Sequence, residues 1–287
     1  MKKSKELAIV KELTNINDET RIVLNEVGWT SRVYIVDNGR FVFKFLKNKK
    51  YQEELEHEIS ILNLIKYHMF DVNIPLANWV IEGNVYVGFY GVNGMSITTE
   101  TINKLNNVQK RKIGAQIGLF LKKLHSISYK GKNLSKESDH IEWFQKTFGK
   151  RKRTLVKHFN KKELCIAEEL VTSLPQKIAK LGIEQAFCHG DLGYNNILLT
   201  NNLEVGIIDF GDAGNYDKSY DFIGIEDDVM LDEAIATYGD NEALRAKVAA
   251  RRQLLPLMEM LFLVDKKDKE GVEKCAEKMR INLKAQT

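Results

Sequence analysis

Proline is scarce in this chain of 287 residues, with three in all, and cysteine is equally rare. So few prolines leave no Pro-rich linker between independent modules. The cysteines (Cys165, Cys188 and Cys275) are odd in number and too widely spaced for a Cys-x-x-Cys pair. That excludes a disulfide framework and predicts a reducing, cytoplasmic setting. Long hydrophobic runs are missing too. The greasiest stretch, Leu254 to Val264, is short and contains Glu259, so no bilayer span is expected. Met1-Lys-Lys-Ser-Lys-Glu-Leu7 places charges where a secretory signal needs an apolar core, and no such signal is predicted. Net charge is small, +4 from 43 basic and 39 acidic residues, and does not point to nucleic acid. What is present is 44% hydrophobic and 29% charged residues, enough for a sizeable core in one large domain or two lobes.

The small total hides an asymmetry. Between Glu204 and Glu242 there are twelve acids and a single base, Lys218. Clustered carboxylates repel unless cations compensate, and a metal or a polycationic ligand would do so. For Asp232 through Glu242 a solvated helix face is the simpler expectation. The opposite run, Lys150-Arg-Lys-Arg153 with Lys157, Lys161 and Lys162, lacks interleaved aromatics apart from Phe159. It reads as a solvated helix or loop rather than a nucleic-acid surface.

Alternating residues predict strands over Arg21–Val27 and Ser31–Val36, a turn at Asp37-Asn38-Gly39, and a returning strand Phe41–Phe45 interrupted by Lys44. Helical spacing follows over Tyr51–Phe70, with Leu55, Ile59, Leu62 and Ile65 on one stripe and Glu58 beside it. His57 on this helix reads as a surface residue without a role. Two further strands flank Glu82-Gly83-Asn84, so the first part reads as five strands with one long helix after the third. Beyond Gly91-Val-Asn-Gly94 the pattern turns helical, over Asn107–Ile127, Leu164–Leu181 and Glu242–Val264. A short β-like patch interrupts it at Ala186–His189, Asn196–Leu199 and Leu203–Ile208. A small β-rich lobe, residues 1–91, and a larger helical lobe, residues 92–287, are expected to bound a cleft.

The chemistry concentrates in His189-Gly190-Asp191-Leu-Gly-Tyr-Asn195-Asn196 and Ile207-Ile208-Asp209-Phe210-Gly211-Asp212. A returning hairpin can bring Asp191, Asn196 and Asp209 around one point. A carboxylate and an amide oxygen suit Mg²⁺, a hard cation that also takes phosphate oxygens and water. The other carboxylate is then left to accept a hydroxyl proton.

This pattern, His-x-Asp-x-x-x-x-Asn followed by Asp-Phe-Gly, resembles the protein-kinase-like superfamily. Its His-Gly-Asp form is similar to the aminoglycoside phosphotransferase and choline kinase branch, and the stretch after Ile207 to the aminoglycoside 2″-phosphotransferases. The resemblance implies an α+β, bilobal, protein-kinase-like fold, with a five-stranded antiparallel sheet, one long helix and a mainly helical C-terminal lobe. It implies Asp191 as catalytic base and Asn196 and Asp209 as Mg²⁺ ligands. It also implies Lys44 on the nucleotide phosphates, held by Glu58, and hinge contacts from Tyr90 and Val92. His189 looks like a loop brace.

Some features depart from the wider pattern. The loop Gly28-Trp-Thr30-Ser31 has one glycine in place of a Gly-rich motif, so backbone amides and the Thr30 or Ser31 hydroxyls are expected to cover the phosphates. No Ala-Pro-Glu follows Asp-Phe-Gly, which disfavours phospho-switched peptide phosphorylation. Phe89 or Tyr90 would supply the large gatekeeper that resembles GTP-preferring members, and ATP and GTP both remain open as donors. Glu226, Asp227 and Asp228 are the expected carboxylates for a cationic acceptor, the alternative being acids that favour a helix N-terminus without binding anything, while Asp221 is expected to brace a helix.

The implied activity is transfer of a terminal phosphoryl group to an aminoglycoside hydroxyl, by a monomer without nucleic-acid or membrane partners. Alternatives are the same chemistry on choline, a macrolide, homoserine or another metabolite, or a nucleotide-binding regulator without turnover. Choline would need an aromatic box, for which Trp143, Tyr216 and Tyr220 are the candidates.

Overall fold

The computed structural model describes residues 1–17, 19–28, 30–80, 85–131, 137–155, 157–239 and 241–284, with the backbone alone for 137–143, 265–266 and 284. The expected turn at Glu82-Gly83-Asn84, Trp29 and the Trp143 side chain lie outside the described residues. In chain order the elements begin α1 (Lys3–Thr14), β1 (Ile22–Asn25), β2 (Ser31–Val36), β3 (Phe41–Leu46), α2 (Gln52–Ile65), β4 (Leu76–Val80) and β5 (Tyr86–Tyr90). Next come β6 (Met95–Ser96), α3 (Thr99–Asn103), α4 (Asn107–Leu124), α5 (Glu137–Leu155), α6 (Lys161–Lys180) and β7 (Gln185–Cys188). The remainder is β8 (Ile197–Leu199), β9 (Val205–Ile207), β10 (Gly214–Asp217), α7 (Asp228–Gly239), α8 (Glu242–Lys266) and α9 (Lys269–Lys284). Two compact units result. One comprises residues 1–124, 189–213 and 224–238, and the other residues 125–188, 214–223 and 239–287.

The first unit is built on an antiparallel sheet of order β1-β2-β3-β5-β4. Its β2–β3 turn uses Asn38 at φ 54° and Gly39 at φ 94°, the left-handed conformations that made Asn-Gly a turn signal. Side chains alternate across a strand, so Phe41, Phe43 and Phe45 join Tyr34, Tyr86 and Val10 of α1 in one core, and Lys44 projects to the other face. No residue pattern predicts α1. Its buried face includes a carboxylate, Glu6, which is fully buried and receives a two-pronged ion pair from Arg32 together with the Tyr34 hydroxyl.

On the first unit's helical side, β6-β8-β9 form a small sheet, and α4 approaches α7 closely. A Cβ added at Gly114 would lie 2.4 Å from the Met230 carbonyl oxygen, and one at Gly118 equally close to that of Ala234. Only glycine allows backbones this near one another.

The second unit packs α5, α6, α8 and α9 around Phe148, Leu170, Leu174, Leu257, Met260 and Met279, beside a ribbon of β7 and β10. Asn160 and Glu163 close a reciprocal capping box at the start of α6. Asp217 is fully buried there, yet its carboxyl is held below the usual range. Burial alone would raise it, and bonds from the Ser219 hydroxyl and the Lys247 ammonium outweigh that penalty. Among the described residues no helix is long and apolar enough to cross a membrane.

Candidate active site

Lys44 stands on the face of β3 opposite the phenylalanines, and its ammonium bonds two carboxylates, Glu58 Oε1 at 2.7 Å and Asp209 Oδ1 at 2.9 Å. Glu58 reaches it from the buried stripe of α2, where it is 5% exposed. Burial opposes the Lys44 charge, but the two carboxylates outweigh it and raise its pKa above the ordinary lysine value. Lys44 in turn holds the Asp209 carboxyl below its usual range against the effect of burial. For Glu58 burial wins, and its pKa stays raised.

Asp191 and Asn196 come from the turn after residue 188. The Asn196 amide Nδ2 donates to the Asp191 carbonyl at 2.8 Å and to its Oδ2 at 3.0 Å, and this fixes which end of the amide is which. Two loops are then tied together by His189. Its Nε2–H donates to the Ile208 carbonyl at 3.0 Å, and its Nδ1 accepts from the Asp191 peptide N–H at 3.3 Å. One imidazole thus braces both the segment carrying Asp191 and the segment carrying Asp209.

Lys44, Glu58, Asp191 and Asp209 line a single cleft of about 240 Å³ within the first unit, with Gly28, Thr30, Ser31, Glu54 and Asp212. With Nδ2 of Asn196 committed to Asp191, the remaining amide oxygen and the half-exposed Asp209 carboxylate are the hard oxygen donors Mg²⁺ takes. The donor set fits that cation. Glu54 has a raised pKa, from burial and from the neighbouring charge of Asp212.

Of the expected site residues, Asn196 is not itself among those lining the cleft. Tyr90 and Val92 are not among the residues lining that cleft. Tyr90 is exposed beside the Trp79 ring, and Val92 is buried over Gly206, where an added Cβ would come within 2.2 Å of it. Phe89 is the buried one of the aromatic pair, and its ring centre lies 5.8 Å from the Lys44 ammonium.

Glu226, Asp227 and Asp228 are also absent from the cleft's lining. Asp227 is committed twice within the fold. Its Oδ2 pairs with Lys110 at 2.7 Å, and its Oδ1 accepts from the Met230 N–H at 3.0 Å at the start of α7. Burial would raise its pKa, but the Lys110 and backbone bonds lower it. The contribution of Asp227 to stability is therefore full above the unfolded aspartate value, about 3.9, and is lost as pH falls toward the folded value. An Asp227→Ala protein should lose about 1–3 kcal/mol at pH 7, from a broken charged bond and a lost cap. Urea titrations at pH 7 and pH 3.5 should show that gap narrowing in acid.

The crowding of acids is thus relieved within the fold, and Asp227 takes the helix-terminus place that was the alternative for it. Asp217 meets Lys247 at 2.9 Å, Asp227 meets Lys110, and Asp221 accepts from His125 Nε2 at 3.0 Å with both side chains buried. Internal partners do much of what a metal or a polycation was expected to do.

Two site residues escaped the sequence reading. Lys47 fastens the loop over the cleft, its backbone N–H bonding the Thr30 carbonyl at 2.8 Å and its ammonium the carbonyls of Glu26 and Gly28. The loop is braced by a lysine where a Gly-rich motif was missing. The other is His57, whose Nε2 lies 2.7 Å from the Ala213 carbonyl oxygen, so it is not the idle surface residue it was expected to be.

The fold has well-matched counterparts among solved structures. The GDP and kanamycin complex of APH(2")-IIia aligns over 100% of both chains with a TM-score of 0.83 and 20% identity. The ADP-bound aminoglycoside phosphotransferase APH(2'')-Ib aligns over 97% of both, with TM-score 0.74 and 18% identity. Choline kinase LicA from Streptococcus pneumoniae aligns over 98% of this chain and 99% of its own, with TM-score 0.65 and 17% identity. Five antiparallel strands with one long helix, plus a mainly helical part, make this the protein-kinase-like fold. The sequence itself matches the Phosphotransferase enzyme family over residues 21–255, most of its length, and the chain belongs to that family.

Proposed function

We propose that this phosphotransferase moves the terminal phosphoryl group of a nucleoside triphosphate to a hydroxyl of an aminoglycoside, with residues 1–91 holding the nucleotide and 92–287 the acceptor. The observation that carries the reading is the meeting of Lys44, Asp191 and Asp209 in one cleft, with Asn196 bonded to Asp191. Lys44 would hold the nucleotide's phosphates, kept charged and in place by Glu58. Asp191 would orient the acceptor hydroxyl and take its proton. Asn196 and Asp209 would hold Mg²⁺, which when bound neutralises charge on the phosphate oxygens. The loop of Gly28, Thr30 and Ser31, pinned by Lys47, would cover the phosphates.

The acceptor is the finer part of the reading. It is supported by the likeness to the kanamycin-bound protein and by Asp212 at the cleft, where an acid suits an ammonium-bearing substrate. Choline has less support. Tyr216 is buried, and one face of the Tyr220 ring is taken by the Arg251 guanidinium at 4.3 Å, so the two do not make an open aromatic box. Incubation with ATP or GTP and a panel of kanamycin, gentamicin, choline, a macrolide and homoserine, with products weighed by mass spectrometry, tests this. A phosphorylated aminoglycoside is the expected product. Phosphocholine or a phosphorylated macrolide would replace the acceptor, and no nucleotide consumption with any of them would favour the regulatory alternative.

For the donor, burial and the nearness of its ring to Lys44 support Phe89 over Tyr90 as the gatekeeper. A Phe89→Leu enzyme should shift the ratio of kcat/KM for GTP over ATP toward ATP by about tenfold, the scale of a changed apolar pocket wall. Side-by-side titrations measure it, and an unchanged ratio would remove Phe89 from donor selection.

A further inference from the structure

We propose that His57 is a positioning residue that latches the Asp209 loop to α2. The inference rests on the phosphotransfer reading for its purpose, but not for its geometry. The Ala213 carbonyl can only accept, so the 2.7 Å contact means that His57 Nε2 carries the proton and donates it. His57 is adjacent in sequence to Glu58, and α2 thereby delivers the ion pair to Lys44 and the bond to Ala213 from consecutive residues.

The segment it grips needs holding. Asp209 sits at φ 69°, left-handed, which costs a residue with a Cβ about 1–2 kcal/mol. The Ala213 N–H closes a turn onto the Phe210 carbonyl at 3.2 Å, and Phe210 is fully buried against the His189 ring. His189 holds the near end of this segment at the Ile208 carbonyl, and His57 holds the far end at the Ala213 carbonyl. Asp209 is thus aimed by two imidazoles, one before it and one after. A shift of α2 would move Glu58 and the loop's far anchor together, so the Lys44 pair and the Asp209 carboxylate are set by the same helix.

The test compares His57→Leu, which has no donor, with His57→Gln, whose amide N–H can reach a carbonyl from a similar place. One readout is hydrogen exchange of the 209–213 amides in the ligand-free protein. The other is the Mg²⁺ concentration needed for tight binding of a fluorescent GDP analogue. The Leu variant should exchange about tenfold faster there and need about tenfold more Mg²⁺, the worth of one net hydrogen bond. The Gln variant should stay within about threefold of wild type on both, as a rescued bond requires. Unchanged exchange in the Leu variant, or a Gln variant as disturbed as Leu, would overturn the latch. Should the Leu variant fail to fold, His57→Asn, whose amide is too short to reach, takes its place with the same expected outcome. If even the wild-type protein binds no nucleotide, the phosphotransfer reading fails, while the exchange comparison still decides the latch.

Discussion

An Asp191→Asn enzyme is expected to lose about 10²–10⁴ in kcat, the usual worth of a general base, while binding nucleotide as the wild type does. The substitution is close to isosteric. The new amide oxygen can still accept from Asn196 Nδ2, and the backbone bonds of residue 191 to Asn196 and His189 do not involve the side chain. What disappears is the capacity to take a proton. Steady-state assays with the acceptor found in the panel, together with calorimetric titration of nucleotide, separate the two. Full turnover in the variant would end the assignment of Asp191 as base, and lost nucleotide affinity would show that its role is structural.

Replacing Lys44 with Met should damage both stability and activity. Glu58 would be left buried without its cation, and breaking a buried pair in this way costs about 3–5 kcal/mol. Loss of a cation aimed at the transferring phosphate should lower kcat by about 10²–10³. The two effects part company with pH. The Glu58 carboxyl, already raised by burial, would rise further once Lys44 no longer opposes it. A carboxyl with a raised pKa binds more protons folded than unfolded, so the variant's stability should increase as pH falls from 7.5 to 5.5. The wild type should show a smaller gain over the same window, because its Lys44 is charged throughout and opposes the rise that burial imposes on Glu58. Melting curves at the two pH values measure the difference. A Lys44→Met, Glu58→Gln double variant should regain stability without regaining turnover, and recovery of both would show that Lys44 serves the fold alone.

Local patterns were legible in the sequence because their causes are local. The sheet announced itself through alternation and through Asn38-Gly39, whose dihedrals were fixed by residue type. The long helix after β3 was visible as a stripe, and Glu58 stood out by its place beside it. By contrast α1 was invisible, since its docking relies on Glu6 finding Arg32, 26 residues away. β10 was missed because Gly-Asn-Tyr-Asp shows no apolar alternation; it is held by pairing with β7. The fate of the acidic run was hidden for the same reason. Lys110 and Lys247, which neutralise Asp227 and Asp217, lie outside the segment and carry no mark of their role. His57 follows that logic: nothing in the helix reports a carbonyl 156 residues further along the chain.

The glycine seam of α4 bears on how far its contact with α7 can be rearranged. With backbone oxygens of α7 already where a methyl group at Gly114 or Gly118 would stand, α7 has no freedom to slide or roll inward against α4. Change at this seam would have to come from the residues flanking the contact rather than from repacking the two helices, a route closed at its first alanine.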